Sequence, residues 1–244
     1  MLQSVYFRTL FMAVVVAVPL AFLGHYLLFG PKVFSHDGEQ IYIFPTFERI
    51  IHLLAVISFL ILIPTGLMIV FGKYLGGGIL VRTARHSHGI ATIIFLVSVI
   101  PMFLIWARQM LPTFDDVKWM FILGGYLSKK VREIPAGKFN AGQKMWFWTA
   151  TLGGAVMIAT GTAMYLQDFD FGVGSSLGLS QIDLLRMAAV IHNVLAIFII
   201  AFFLTHAYMS LFAIKGAVYS MINGYKAEDE VKYLHSSYYK KLKG

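Results

Sequence analysis

An all-α membrane protein is the architecture this sequence predicts, and three observations predict it. Of 244 residues, 58% are apolar and only 13% are charged, where a soluble domain carries about 25% charged residues. Mean hydropathy is +0.73. Five apolar runs, near 10–29, 50–71, 89–107, 145–166 and 184–212, hold no Asp, Glu, Lys or Arg except Arg186. Each reaches the roughly 20 residues that a helix needs to cross about 30 Å of hydrocarbon. The runs are continuous rather than alternating in polarity, which favours helices over barrel strands.

The first run follows Arg8 and contains Pro19, which a membrane helix tolerates. No small-x-small cleavage site follows Leu23, so the run reads as a retained helix with its N-terminus outside rather than as a signal peptide. Residues 1–45 are thus an N-terminal transmembrane helix and connector, 46–226 a bundle of four spans, and 227–244 a basic tail. The distribution of cations orients them, because short basic loops stay cytoplasmic. Segment 108–144 holds seven Lys/Arg and the chain after Phe212 holds six, whereas 167–183 carries Asp168, Asp170 and Asp183 with no cation. The basic loop and the C-terminus are therefore cytoplasmic. Segment 73–87, with Lys73, Arg82 and Arg85, is forced outside against the rule, which suggests an anionic group or a partner subunit facing it.

Twenty Lys/Arg against 12 Asp/Glu leave a net charge of +8. In a chain with 21 Phe that charge belongs against a bilayer and not on nucleic acid. The absence of cysteine excludes disulfides, zinc–thiolate sites, c-type haem attachment and iron–sulfur clusters held by this chain alone.

Ionisable residues inside spans are functional candidates by default, and here they are histidines. His52 opens the second span, His88 heads the third, and His192 and His206 lie in the fifth. Fourteen residues rotate a helix by about 320° and raise it roughly 21 Å, so His192 and His206 project to nearly one face at two depths. With the orientation above, His52 and His206 share the cytoplasmic level, and His88 and His192 the outer level. Two facing imidazoles fill both axial positions of a haem iron, which then exchanges electrons and does not bind oxygen. Gly66, Gly89, Gly153, Gly154 and Gly161 allow a flat macrocycle to approach the backbone. Interhelical hydrogen bonding by isolated histidines, a di-metal site and a proton relay are the alternatives. The roughly 21 Å offset is too long for a two-metal cluster, and no carboxylate lies inside a span to assist a relay. Of the other histidines, His86 rivals His88, His25 is structural or interfacial, and His36 and His235 are expected to be solvated. Residues 238–243 read as a solvated or lipid-headgroup tail.

The arrangement resembles the membrane gamma subunits, b-type cytochromes, of respiratory formate dehydrogenases. The residues carrying the resemblance are Phe47-Glu-Arg-Ile-Ile-His52, Arg85-His-Ser-His88-Gly, Lys138-Phe-Asn-Ala-Gly-Gln-Lys144, His192 with His206, and Ile214-Lys-Gly216. The histidine pair fourteen apart is also similar to the cytochrome b subunits of nickel–iron hydrogenases; the Asn-Ala-Gly-Gln-Lys segment favours formate dehydrogenase. The resemblance implies a four-helix haem-binding transmembrane bundle, here with an extra N-terminal transmembrane helix. It implies two b-type haems, the outer on His88 and His192, the inner on His52 and His206. It also implies a menaquinone or ubiquinone site by the inner haem at Asn140 and Gln143. Asn140 equally suits a helix N-cap, and the two roles are compatible. Candidate propionate donors are Arg49, Arg82, Arg85 and Arg186. The expected partners are an iron–sulfur beta subunit, a catalytic alpha subunit, quinone and the lipid of a bacterial inner membrane. Formate oxidation needs the separate catalytic subunit, since this chain has no site for it. A transporter or a purely structural anchor is the competing reading of another class, and either would be free of haem. The family pattern starts near Phe47-Glu-Arg, and residues 1–44 add a helix and a connector ahead of it, as longer members of the family also carry extra N-terminal segments.

Overall fold

The computed structural model describes residues 2–35 and 38–244, and His36 lies outside them. In chain order the elements are α1 (Leu2–Phe29), β1 (Gln40–Tyr42), α2 (Thr46–Val70), α3 (Gly78–Trp106), α4 (Phe114–Phe121), α5 (Ala141–Trp148), α6 (Gly154–Tyr165), α7 (Val173–Ser176), α8 (Gln181–Tyr208), α9 (Tyr219–Asn223), β2 (Tyr225–Ala227), α10 (Glu228–Leu234) and α11 (Ser236–Lys243). Four helical segments, Tyr6–Phe29, Thr46–Val70, Gly78–Trp106 and Gln181–Ala213, are long and apolar enough to cross a membrane. The remaining expected span is helical but not α-helical throughout: α5 passes through a π turn, Thr149–Gly153, into α6. A second π turn, Met209–Ala213, closes α8.

Between α2 and α3 the chain reverses at Gly76, Gly77 and Gly78, which all take positive φ, a region where a Cβ is penalised. Helix α3 therefore starts well before its apolar run, and His88 lies inside the helix rather than at its head. Nothing in Arg82–Ser87 breaks a helix, so hydropathy alone places the start too late.

Helices α2, α3, α5 and α8 share an aromatic core. The Phe59 ring stacks on Phe203 with centroids 5.3 Å apart and meets Phe95 and Trp146 at 5.4 Å each. Burial of such rings, each removing 150–250 Å² from solvent or lipid, is the main packing term between the two histidine levels. Gly154 makes the close approach possible, because a Cβ there would stand 2.7 Å from Phe95 Cε1. Helix α1 packs along α8 through Phe11 against Ile197 and Ile200. His25 fixes its register. The His25 Nε2–H donates to the Tyr126 carbonyl at 3.0 Å, so Nδ1 accepts from the Tyr208 hydroxyl at 2.6 Å. This bears out a structural role for His25. At the other end of α1, Arg8 pairs with the Tyr74 hydroxyl, which puts the start of α1 and the turn after α2 on one side of the bundle.

The opposite end is closed by a small polar unit. β1 pairs antiparallel with β2, Ile41 opposite Lys226. Lys32 donates to the carbonyls of Ser128 and Lys130. The segment ahead of α5 bonds to the C-terminal helices: Ile134 N to Tyr233 O, Ser236 N to Ile134 O and Tyr238 N to Ala136 O. The expectation that His235 is solvated is corrected here. It is 3% exposed and donates from Nδ1 to the Gly137 carbonyl at 2.8 Å, beside the buried Lys226–Glu230 ion pair. The tail looks solvated in sequence because charge dominates 226–243, yet Val231 and Leu234 recur at helical spacing and are buried.

Burial, with the Lys226 ammonium nearby, lowers the His235 imidazole from 6.5 to about 4, against the weaker raising effects of the Gly137 carbonyl and Glu230. The unfolded segment takes up a proton near pH 6.5 and the folded one near pH 4, so stability is full above 6.5 and is lost as pH falls toward 4. The loss is on the order of 3 kcal/mol. Hydrogen exchange should show protection of 134–137 and 231–239 falling across that interval, and His235→Asn should flatten the dependence. Gly154→Ala should lower the thermal stability of the detergent-solubilised protein by about 1–3 kcal/mol through overpacking against Phe95.

Candidate functional site

The helices bring the four intramembrane histidines together as two pairs. His88 on α3 faces His192 on α8 with ring centroids 6.4 Å apart and planes at 55°. His52 on α2 faces His206 on α8 at 6.2 Å and 61°. The pairing matches the sorting by depth. His86, the rival of His88, is exposed.

Ring separation tests whether such pairs fit a shared iron. With a metal about 2.0 Å from each ligating nitrogen and each nitrogen about 1.1 Å from its ring centre, two opposed imidazoles have centroids about 6.2 Å apart. Both pairs meet that value. Neither pair has a third ionisable ligand: among the described residues no group of three or more His, Asp or Glu gathers to hold a metal ion.

Two hydroxyls and two glycines lie behind one pair and set its ring orientation. Thr65 Oγ1 lies 3.0 Å from His88 Nδ1 and gives its own proton to the Ile61 carbonyl at 2.6 Å. Thr160 Oγ1 lies 2.9 Å from His192 Nδ1 and donates to the Val156 carbonyl at 2.8 Å. A hydroxyl whose proton is spent on a carbonyl accepts at its lone pair. Each Nδ1 therefore carries hydrogen, leaving each Nε2 lone pair for the cavity. The next residue in each case is glycine. A Cβ on Gly66 would sit 3.3 Å from His88 Cε1, and one on Gly161 3.2 Å from His192 Cε1. Two Thr-Gly pairs on α2 and α6 thus seat two rings. The sequence does not single out these threonines; the recurrence of Thr-Gly inside two apolar runs was the available signal.

In front of this pair lies a cavity of about 1060 Å³, lined by Gly66, Gly89, Gly154 and Gly161 and bordered by Arg85 and Arg186. It reaches the upper end of the roughly 300–1,000 Å³ usual for cofactor sites. A flat apolar macrocycle with two acidic groups suits such walls and such a rim. Arg186 also forms an exposed ion pair with Asp183 at 3.4 Å, and Arg82 and Arg85 border a shallower cleft with Lys73. Gly153 backs onto Ile199, 3.6 Å from where its Cβ would be, and serves helix packing.

The other pair is set differently. Trp146 lies against His206 with centroids 5.6 Å apart and planes at 20°. Arg49, three residues before His52, donates to the Ile222 carbonyl and to Thr46 Oγ1. Its Nε is buried without a partner, an unmet donor of the kind that costs about 1–3 kcal/mol unless something accepts from it.

Asn140 and Gln143 form a reciprocal cap at the start of α5. Asn140 Oδ1 accepts from Gln143 N at 3.0 Å, and Gln143 Oε1 accepts from Asn140 N at 2.9 Å. The cap uses the carbonyl oxygen of each amide, and among the described residues neither NH₂ has an acceptor. Lys144, next along, is buried on Asp116 at 2.7 Å; Lys138 pairs with Glu48 at 3.4 Å. These two ion pairs tie α5 and its leader to α4 and to the start of α2.

Comparison with known proteins follows the same lines. A family model described as prokaryotic cytochrome b561 matches residues 43–224. The formate dehydrogenase cytochrome b556 subunit of Haemophilus influenzae is 27% identical over 79% of this chain and 79% of its own. Two such subunits of Escherichia coli K12 are similar: the b556(fdo) subunit at 24% over 80% of this chain and 90% of its own, and the nitrate-inducible b556(Fdn) subunit at 26% over 66% and 71%.

Proposed function

This chain belongs to the prokaryotic cytochrome b561 family, and we propose that it is the membrane-anchoring di-haem cytochrome b subunit of a respiratory formate dehydrogenase. A haem-binding, electron-transporting, multi-pass membrane protein follows from the family and the spans. The number of haems, the quinone and the complex are the proposal. The observation that carries it is the pair of ring separations, 6.4 Å and 6.2 Å, at two levels of one bundle.

His88 and His192 would hold a haem at the outer level, His52 and His206 one at the cytoplasmic level. When bound, the two b haems would supply one-electron transfer between the membrane faces. The chain's own contribution is to bury and orient them. Arg85 and Arg186 border the outer cavity and offer charge to propionates there. Arg49, three residues before His52 on α2, holds the unmet donor Nε. The NH₂ groups of Asn140 and Gln143, without an acceptor among the described residues, would lie at the cytoplasmic mouth of α5 and donate to the carbonyls of a membrane quinone. The basic loop 108–144 and the C-terminal unit would face the cytoplasm of a bacterial inner membrane. The iron–sulfur beta subunit and the catalytic alpha subunit would sit on the outer face, against the cationic turn holding Lys73, Arg82 and Arg85. The relatives named for formate dehydrogenase and the Asn-Ala-Gly-Gln-Lys segment support that partner class, and purification of the intact complex identifies it by what comes with it.

Purified protein should contain two b haems per chain. His88→Ala and His192→Ala should each remove one haem, His52→Ala and His206→Ala each the other. A single haem, or His52 grouping with His192, contradicts the assignment. Asn140→Asp keeps the capping oxygen and removes the NH₂, so it should preserve stability while raising the KM for quinone. Asn140→Ala should add about 1 kcal/mol of helix destabilisation. Equal quinone kinetics in Asn140→Asp and the parent would remove Asn140 from the quinone site.

A further inference from the structure

The two histidine pairs are not held alike. The ring nitrogens behind His88 and His192 rest on Thr65 and Thr160 at 3.0 Å and 2.9 Å. Among the described residues His52 and His206 have no such hydroxyl behind them; the neighbour of His206 is the flat face of Trp146. The two threonines are equivalent in construction. Each lies on a helix that does not carry the histidine it supports. Each gives its proton to the carbonyl four residues earlier, and each is followed by a glycine that clears space for the supported ring. Such duplication in two unrelated stretches of chain, on one pair only, points to a function for the hydroxyls beyond packing.

A hydroxyl that accepts from Nδ1–H draws the proton partly off the ring and leaves Nε2 more electron-rich. A more basic axial ligand favours the ferric over the ferrous state, and two such ligands act on the same iron in the same sense. On the reading that each pair ligates a haem, we propose that Thr65 and Thr160 are positioning residues that make the outer haem the lower-potential member of the two. The bias is built into the protein and favours movement of an electron from the outer level toward the cytoplasmic one. It also locks the tautomer of both outer ligands before any haem arrives, since the backbone carbonyls of Ile61 and Val156 already hold the threonine protons.

The test is an optical redox titration of the full chain in its purified complex, comparing the parent with Thr65→Val, Thr160→Val, the double Val variant and the two Ser variants. The outer haem is identified as the component missing in His192→Ala. Each Val substitution should raise the midpoint potential of that component by the equivalent of a roughly three- to tenfold loss of ferric preference, where tenfold is about 59 mV for one electron. The double variant should shift further, the component missing in His206→Ala should stay in place, and Thr→Ser should restore the parent value. Should a Val variant lose the outer haem, the Ser variants carry the reading: they must keep that haem at the parent potential, and a Ser variant that shifts it or loses it counts against the proposal. An unmoved outer potential, equal shifts of both components, or Ser variants that behave like Val variants overturn it. A parent protein without two haems defeats the underlying ligand assignment instead, which haem content reports before any titration.

Discussion

The apposition of two imidazoles on α8 with one each on α2 and α3 is the constraint on which the rest of this structure depends. A polar ring in hydrocarbon must satisfy both of its nitrogens within the protein. At the His88–His192 level the requirement is met from behind by threonine, leaving the other nitrogen for the cavity. Helix α8 runs unbroken from Gln181 to Tyr208, so its two histidines keep the separation that fourteen residues impose, and the π turn that ends it comes only after His206. Any change in the pitch of α8 between 192 and 206 would move one pair out of register with its partner helix. The aromatic packing of Phe59, Phe95, Trp146 and Phe203 between the levels holds that register.

The same economy governs the polar end. An isolated pair of short strands is marginal, yet β1 and β2 join because the connector, the leader of α5 and the C-terminal helices are cross-tied around them. Lys32, Lys138, Lys144 and Lys226 each have a defined partner. Those bonds fix the approach of the chain to Asn140. The cap at α5 is therefore rigid from both sides: its own reciprocal hydrogen bonds inside, and the 134–137 pairing to the C-terminal helices outside. On the proposed reading, that preorganisation would lower the ordering cost when the two amides meet a quinone.

Much of this was legible beforehand. Hydropathy gave the helical runs, the cation distribution gave the sharing of ends, and the fourteen-residue spacing gave the pairing of His192 and His206 with different helices. What was not legible depended on contacts between distant residues. Thr65 and Thr160 look like ordinary small polar residues until the partner helix supplies an imidazole. His235 sits among charges in sequence and is buried because Ile134, Gly137 and Lys226 arrive from elsewhere. Hydropathy places the start of α3 too late because it marks where lipid begins, whereas the glycine turn at 76–78 marks where the helix begins. The π turns leave no mark in composition. The cap at Asn140 was readable from Asn-Ala-Gly-Gln, since it involves only neighbours.

Anomalous diffraction at the iron edge from crystals of the purified protein tests the central claim most directly. The account predicts two iron peaks per chain, one midway between the His88 and His192 rings and one midway between those of His52 and His206, offset along α8 by roughly the 21 Å that fourteen helical residues span. One peak, no peak, or iron bound away from either pair would contradict it.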